Sequence, residues 1–389
     1  MKKLMALLGV GVLAVVASGI GQAKPTASSG PTADAAAQRR CQGLRIGFLG
    51  PFTGPAASIG QEQLKWGRFA NRQHNRANRR FRIQVIERDT QLDARQASTR
   101  AVQLAADPRV MVVIGPAGSQ EVIAAAAPLR RRGIAYISGS ATRTDLTVGQ
   151  RRIRNFFRVV GNDRAQAATD AGFIYRDLRG RRVWIIDDQS SYSVPLADDV
   201  ERLLKGNSGT TVTRESVNQQ QTDFSSLIAR IPANTQVIFL PWQLAARAAT
   251  FFQQLRSQGK QATVMGSDGL DATEWVETAD RQYFSAFAPD LKRFRDRATR
   301  RLVAAYVREF GQFNTTFGPP TYVAMQVAHR ALSRACRDNN VTRGEVMRQI
   351  RRESFPSILG YRIQFRGGDT TGAKFFIFRI QGGKAVFVR

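Results

Sequence analysis

Cysteine, histidine and lysine are scarce in this chain of 389 residues. Two cysteines, Cys41 and Cys336, exclude a disulfide-dense scaffold and a cysteine-rich zinc module. His74 and His329 stand without a His-x-His or His-Glu-x-x-His companion, so the sequence gives no support to a metal centre. There is no G-x-S-x-G elbow and no P-loop. The glycines at 47, 50, 54 and 60 do not make G-x-G-x-x-G. No catalytic residue, metal ligand or cofactor is therefore assigned. Acidic residues number 30 against 58 basic ones, a net charge of +28, and only nine of the cations are lysine. After Ile20 no apolar run is long enough to cross a bilayer.

What is present begins with an export pattern. Lys2 and Lys3 precede an uncharged run from Leu4 to Ile20, followed by Gly21-Gln22-Ala23. Small residues three and one positions before a cut after Ala23 predict a cleavable signal over 1–23, with a retained membrane tether as the alternative. Residues 24–43 read as a disordered spacer rich in small residues. The expected location is extracytoplasmic. Export makes a disulfide permissible, and Cys41 with Cys336 is the one intramolecular pair available; two free thiols are the alternative.

From Leu44 strands alternate with helices. Strands are expected near 44–49, 81–86, 110–114 and 134–138, with helices near 60–75, 96–106 and 119–132 between and after them. Ser119 is placed as a helix N-cap with Glu121 in the first turn. The alternation restarts at Arg182 and runs to a strand near 262–266, followed by longer helices near 290–310, 320–336 and 343–352. Toward the C-terminus the pattern changes, and Tyr361–Phe365, Lys374–Ile380 and Ala385–Val388 read as short antiparallel strands joined by glycine-rich turns. The expected class is α/β, two lobes each with a mostly parallel sheet flanked by helices, closed by an all-β tail.

Asp187-Asp188 ends a strand, where open sheets bind ligands, whereas Asp198-Asp199 reads as a solvated helix face. Arginines crowd at 79–80, 130–132, 179–182 and 293–301, with no nucleic-acid-binding pattern beside them. A cationic solvated surface is expected, with no specific nucleic acid partner.

Specific stretches carry a resemblance. These are Ile46-Gly47-Phe48-Leu49-Gly50-Pro51-Phe52-Thr53-Gly54-Pro55-Ala56, Val113-Ile114-Gly115-Pro116-Ala117-Gly118-Ser119 and Ile137-Ser138-Gly139-Ser140-Ala141-Thr142. Phe157-Arg158-Val159-Val160-Gly161-Asn162-Asp163, Thr222-Asp223-Phe224-Ser225-Ser226-Leu227-Ile228 and Val264-Met265-Gly266-Ser267-Asp268-Gly269 continue the set in order. Together they resemble the solute-binding proteins of branched-chain amino acid ABC transporters, the leucine/isoleucine/valine-binding family with the type I periplasmic binding fold. The resemblance implies lobe one at 44–158 plus 289–356, lobe two at 159–288 plus 357–389, and a hinge of three crossings that closes on a ligand. It also places Cys41 and Cys336 on one lobe.

By the same resemblance, Ser119 and the helix start hold a ligand carboxylate, Ser140 acts through its backbone, and Thr142 contacts the head group. Asp268 accepts the ammonium, Tyr192 and Trp242 come down from lobe two, and Gln166 approaches the cleft. Ile59 and Gly118 depart from the family pattern in ways that reshape the side-chain pocket. The implied function is capture of a small amino acid, branched-chain type favoured, for an ABC permease and its ATPase subunits, by a monomeric non-enzyme. The alternatives are the same fold binding an amide, urea or aromatic carboxylate, a cleft hydrolase, and a polyanion-binding surface protein.

Overall fold

The computed structural model describes residues 41–79, 81–337 and 341–389. The expected signal, and all of the expected spacer but 41–43, lie outside the described residues. Among the described residues no helix is long and apolar enough to cross a membrane.

The chain builds one sheet, leaves it, builds a second, and returns to each in turn. Strands β1 (Arg45–Gly50), β2 (Gln84–Asp89), β3 (Val110–Ile114), β4 (Ala135–Ser138) and β5 (Phe156–Arg158) pair in parallel. β3 reads Val-Met-Val-Val-Ile and is buried throughout, as a strand covered on both faces must be. Strands β6 (Arg182–Asp187), β7 (Thr211–Ser216), β8 (Val237–Leu240), β9 (Thr263–Gly266) and β10 (Tyr283–Ala286) form the second parallel set. β11 (Ser354–Pro356), β12 (Arg362–Arg366) and β13 (Asp369–Thr370) then rejoin the first sheet, and β14 (Phe376–Gln381) with β15 (Lys384–Phe387) completes the second. The orders are β11-β12-β13-β5-β4-β3-β1-β2 and β15-β14-β10-β9-β8-β6-β7. Helices lie between most successive parallel strands, as the crossovers of parallel pairing require, and only a 3-10 turn at Thr144–Leu146 lies between β4 and β5.

Side-chain caps set several helix starts. Asp93 accepts from Gln96 N–H at 2.8 Å, Asn162 from Ala165 N–H at 3.3 Å and Thr342 from Glu345 N–H at 3.1 Å. The helix expected near 290–310 is interrupted: a short 3-10 turn at Leu291–Arg293 precedes Arg297–Phe310, because Asp296 caps the latter by accepting from Thr299 N–H at 2.8 Å. The strand expected at 81–86 is displaced to Gln84–Asp89. Asn71, Asn75 and Ile83 exchange side-chain to backbone bonds, so the ladder to β1 starts only at Gln84.

The expected lobe boundary at 357 is corrected. The all-β tail divides between the sheets, and the third crossing runs between Thr370 and Phe376. β12 pairs antiparallel with β13, and β13 pairs with β5 at Asp369 and Arg158. The fully buried Arg158 guanidinium locks that register by bonding Asp369 Oδ1 at 2.6 Å and the carbonyls of Ala141 and Arg143 at 3.1 and 2.8 Å. Glycine-rich turns in the sequence conceal the change of sheet.

Cys41 and Cys336 lie side by side as free thiols, and burial together with the neighbouring Cys41 pushes the Cys336 thiol well up. His74 and His329 stack with ring centroids 4.3 Å apart, and His329 Nε2 meets Asn71 Oδ1 at 3.1 Å. Burial lowers the pKa of both rings, which act as packing groups.

Candidate functional site

Both sheets present the C-terminal ends of their parallel strands to one gap, the place where open α/β sheets bind ligands. From lobe one, β3 ends at Ile114 and the chain turns through Gly115–Gly118 into the helix Ser119–Arg131. Gly118 occupies the N-cap, which corrects the assignment of Ser119 to that role. The capping is done by Glu121, which accepts from Gly118 N–H at 2.7 Å. Burial raises the Glu121 carboxyl to about 7 against the opposing Thr90 hydroxyl and Gly118 N–H. Ser119, as the first helical residue, keeps its hydroxyl near the gap, where Oγ accepts from Arg143 N–H at 3.3 Å.

After β4, Ser138 Oγ accepts from the N–H groups of Ser140 and Ala141 and donates to Pro116 carbonyl, so the two turns are bound together. Ser140 Oγ donates to Ala117 carbonyl at 2.9 Å and accepts from Gln63 at 3.0 Å. Thr142 is buried and does not line the gap; its carbonyl accepts from Asp163 N–H at 2.8 Å. Its hydroxyl is the neighbour that opposes burial at Asp163, whose carboxyl nevertheless rises to about 7.

From lobe two, Asp268 follows β9 at the head of a 3-10 turn. Its Oδ1 accepts from Tyr192 hydroxyl and from Gln166 Nε2, both at 2.6 Å. Burial raises the Asp268 carboxyl to about 6 while those two donors oppose the shift. Burial also raises Tyr192 well above its ordinary value, and the nearby Asp268 charge adds to it. Gln166 donates a second bond to Ser285 at 3.1 Å. Gly269 can only be glycine, since a Cβ there would lie 2.2 Å from Trp242 carbonyl oxygen.

Together Ile59, Leu92, Ala117, Gly118, Ser119, Ser140, Tyr192, Gln243, Asp268, Gly269 and Phe317 enclose about 340 Å³ of space, part of it open to solvent. Six expected residues thus converge: Ile59, Gly118, Ser119, Ser140, Tyr192 and Asp268. Gln166 stands behind Asp268. Trp242 does not reach the gap, which corrects its expected role. Its ring packs against Phe224 and Phe251, and its Nε1–H donates to Ile186 carbonyl at 2.6 Å. Leu92, Gln243 and Phe317 were missed. Leu92 sits just past the C-terminal end of β2, an end that the sequence pattern had put at residue 86.

Bonds cross the gap. Gln120 Nε2 donates to Gln243 Oε1 at 3.1 Å, Arg143 Nη1 to Ser191 carbonyl at 3.3 Å, and Thr316 N–H to Asp271 Oδ2 at 3.0 Å. The carboxylates at the end of β6 are structural: Asp187 bonds Arg214 and Ser216, and Asp188 accepts from Gln243 N–H. Among the described residues no group of three His, Cys, Asp or Glu side chains is placed to hold a metal ion.

Two lobes joined by three crossings, with a cavity between strand ends, define a two-lobed binding protein. The chain belongs to the Periplasmic binding protein family, which it matches over residues 43–384. It is 24% identical over 354 residues to the Leu/Ile/Val-binding protein BraC3 of Rhizobium johnstonii, covering 88% of this chain and 93% of that one. It is also 24% identical to the leucine-specific-binding protein of Salmonella typhimurium, over 86% of this chain and 90% of that one. Among solved structures it is similar to the branched-chain amino acid transporter substrate binding protein LivJ of Streptococcus pneumoniae in complex with isoleucine, at TM-score 0.80, 22% identity and 89% and 99% coverage. The leucine binding protein LivK of Thermotoga maritima matches at TM-score 0.80, 21% identity and 89% and 98% coverage.

Proposed function

We propose that this chain captures a small α-amino acid with an aliphatic side chain between its lobes and delivers it to an ABC permease with its ATPase subunits. One observation carries this: the cavity has helix-start donors at one pole, a single buried carboxylate at the other, and apolar residues between. A zwitterion fits that polarity. Its carboxylate meets Ser119 and the positive end of the helix that follows. Its ammonium meets Asp268; Tyr192 and Gln166 both use Oδ1, which leaves Oδ2 for the ligand. Ile59, Leu92, Ala117 and Phe317 surround the side chain. The crossing bonds from Gln120, Arg143 and Thr316 hold the lobes together over it. The protein binds and releases without turnover, as a monomer, outside the cytoplasm.

A thermal-shift panel tests this. Leucine, isoleucine and valine raise the melting temperature, and neutral amides and aromatic carboxylates do not. Stabilisation by amides or carboxylates alone would overturn the amino acid assignment, since a buried carboxylate repels an anion and gains nothing from a neutral group.

A further inference from the structure

We infer that Leu92 is the residue that sets the upper size of the ligand side chain, an inference that rests on the amino acid assignment above. It stands on a loop, not on a core element. Gln91 and Leu92 are consecutive residues with left-handed backbone, φ 54° and 62°, a conformation that is costly for residues with a Cβ. The surroundings hold the loop there. Gln91 N–H donates to Asp89 Oδ1 at 3.2 Å, Asp93 N–H to Thr90 carbonyl at 2.9 Å, and Gln120 Nε2 to Leu92 carbonyl at 3.3 Å.

The side chain so placed covers Gly118. A Cβ built on Gly118 would lie 2.8 Å from Leu92 Cδ1. The missing side chain at 118 and the leucine at 92 are thus complementary: Leu92 fills the room that a residue at 118 would otherwise take. The other apolar walls are held more deeply. Ile59 and Phe317 belong to the lobe-one core and are buried, whereas Leu92 is half-buried and packs onto that core from outside. Leu92 is also tied to closure. The Gln120 amide that holds its carbonyl bonds Gln243 of lobe two in both directions, at 3.1 and 3.3 Å. The wall is therefore fixed by the same amide that joins the lobes.

The class of ligand follows: amino acids with short or branched aliphatic side chains are accepted, and phenylalanine is excluded by contact with Leu92. The test is calorimetry on the full mature chain with leucine and phenylalanine as probes. The wild type is expected to prefer leucine by at least tenfold. Leu92→Ala is expected to reduce that preference at least fivefold by admitting phenylalanine. Leu92→Phe, which adds volume, is expected to weaken leucine at least tenfold while alanine binds within threefold of wild type. Leu92→Met conserves volume and is expected to keep the wild-type preference, which separates a size effect from damage to the loop. An unchanged leucine-to-phenylalanine ratio in Leu92→Ala, with both ligands still bound, overturns the inference and leaves the amino acid assignment standing. A wild-type chain that binds no amino acid overturns both.

Discussion

The Tyr192 hydroxyl donates a 2.6 Å hydrogen bond to Asp268 Oδ1, joining two residues 76 positions apart on different elements of lobe two. The bond orients the carboxylate, and with Gln166 it commits one oxygen to the protein. Asp268→Asn keeps the shape and removes the charge. It is expected to weaken leucine binding by at least about 1.5 kcal/mol, roughly tenfold, with the melting temperature of the free protein nearly unchanged or raised. Titration calorimetry with differential scanning calorimetry on the same sample checks this, and undiminished affinity would remove Asp268 from the ammonium site.

The carboxyls of Asp268 and Asp163, raised by burial to about 6 and about 7, set a pH dependence. The folded chain holds protons at pH 5 to 6 that the unfolded chain has released. Stability from these groups is therefore greatest near pH 4 and is lost as the pH rises toward 7. With Asp268 in its proposed role, ligand affinity is expected to run the opposite way, because an ammonium needs the ionised carboxylate. Leucine binding is expected to be about tenfold weaker at pH 5 than at pH 7.5 and to release a proton, seen as a buffer-dependent heat. The Asp268→Asn variant is expected to lose most of that dependence.

Asp369 anchors the buried Arg158 from the far end of the sequence. Removing one partner of such a pair strands the other. Asp369→Ala is expected to cost about 3 kcal/mol in urea unfolding, and Arg158→Met together with Asp369→Ala less than Asp369→Ala alone. Equal losses would show that the ion pair carries nothing beyond its other hydrogen bonds.

The adjacent thiols of Cys41 and Cys336 predict a redox-dependent stability. Oxidised glutathione should link them by exchange, releasing two reduced glutathione molecules and lowering the titratable thiol count by two. The linked form is expected to gain roughly 2–4 kcal/mol. Persistence of both free thiols after prolonged exchange, with the chain folded, would count against the pairing.

Most of the parallel framework was legible because its strands are unbroken apolar runs between turn signals: Val110–Ile114 and Val237–Leu240 leave no alternative. The tail was not, because hydropathy cannot tell which sheet a short antiparallel strand joins; that choice depends on Arg158 meeting Asp369, 211 residues away. The helix Asp163–Arg176 escaped notice for a related reason. It carries Asp163, Gln166 and Asp170 on its buried side beside Ala167, Ala171, Phe173 and Ile174, so its inner face is mixed and the apolar period is broken. At the site, Asp268 and Ser119 were named through the resemblance of their motifs and line the gap, whereas Trp242 was misplaced. Its position at the end of β8 is right, but its ring turns toward the second-lobe core and not the gap. Leu92 sits in a polar stretch, Thr90-Gln91-Leu92-Asp93, with no periodicity to single it out.

The return of β14 to lie against β10 bears on how the molecule is made. Lobe two cannot finish its sheet until Phe376–Gln381 has folded back onto Tyr283–Ala286, after lobe one has taken up the chain between them. Neither half of the protein is thus a contiguous piece, and each waits for a segment that lies beyond part of the other in the chain, so the two jaws of the clamp mature together.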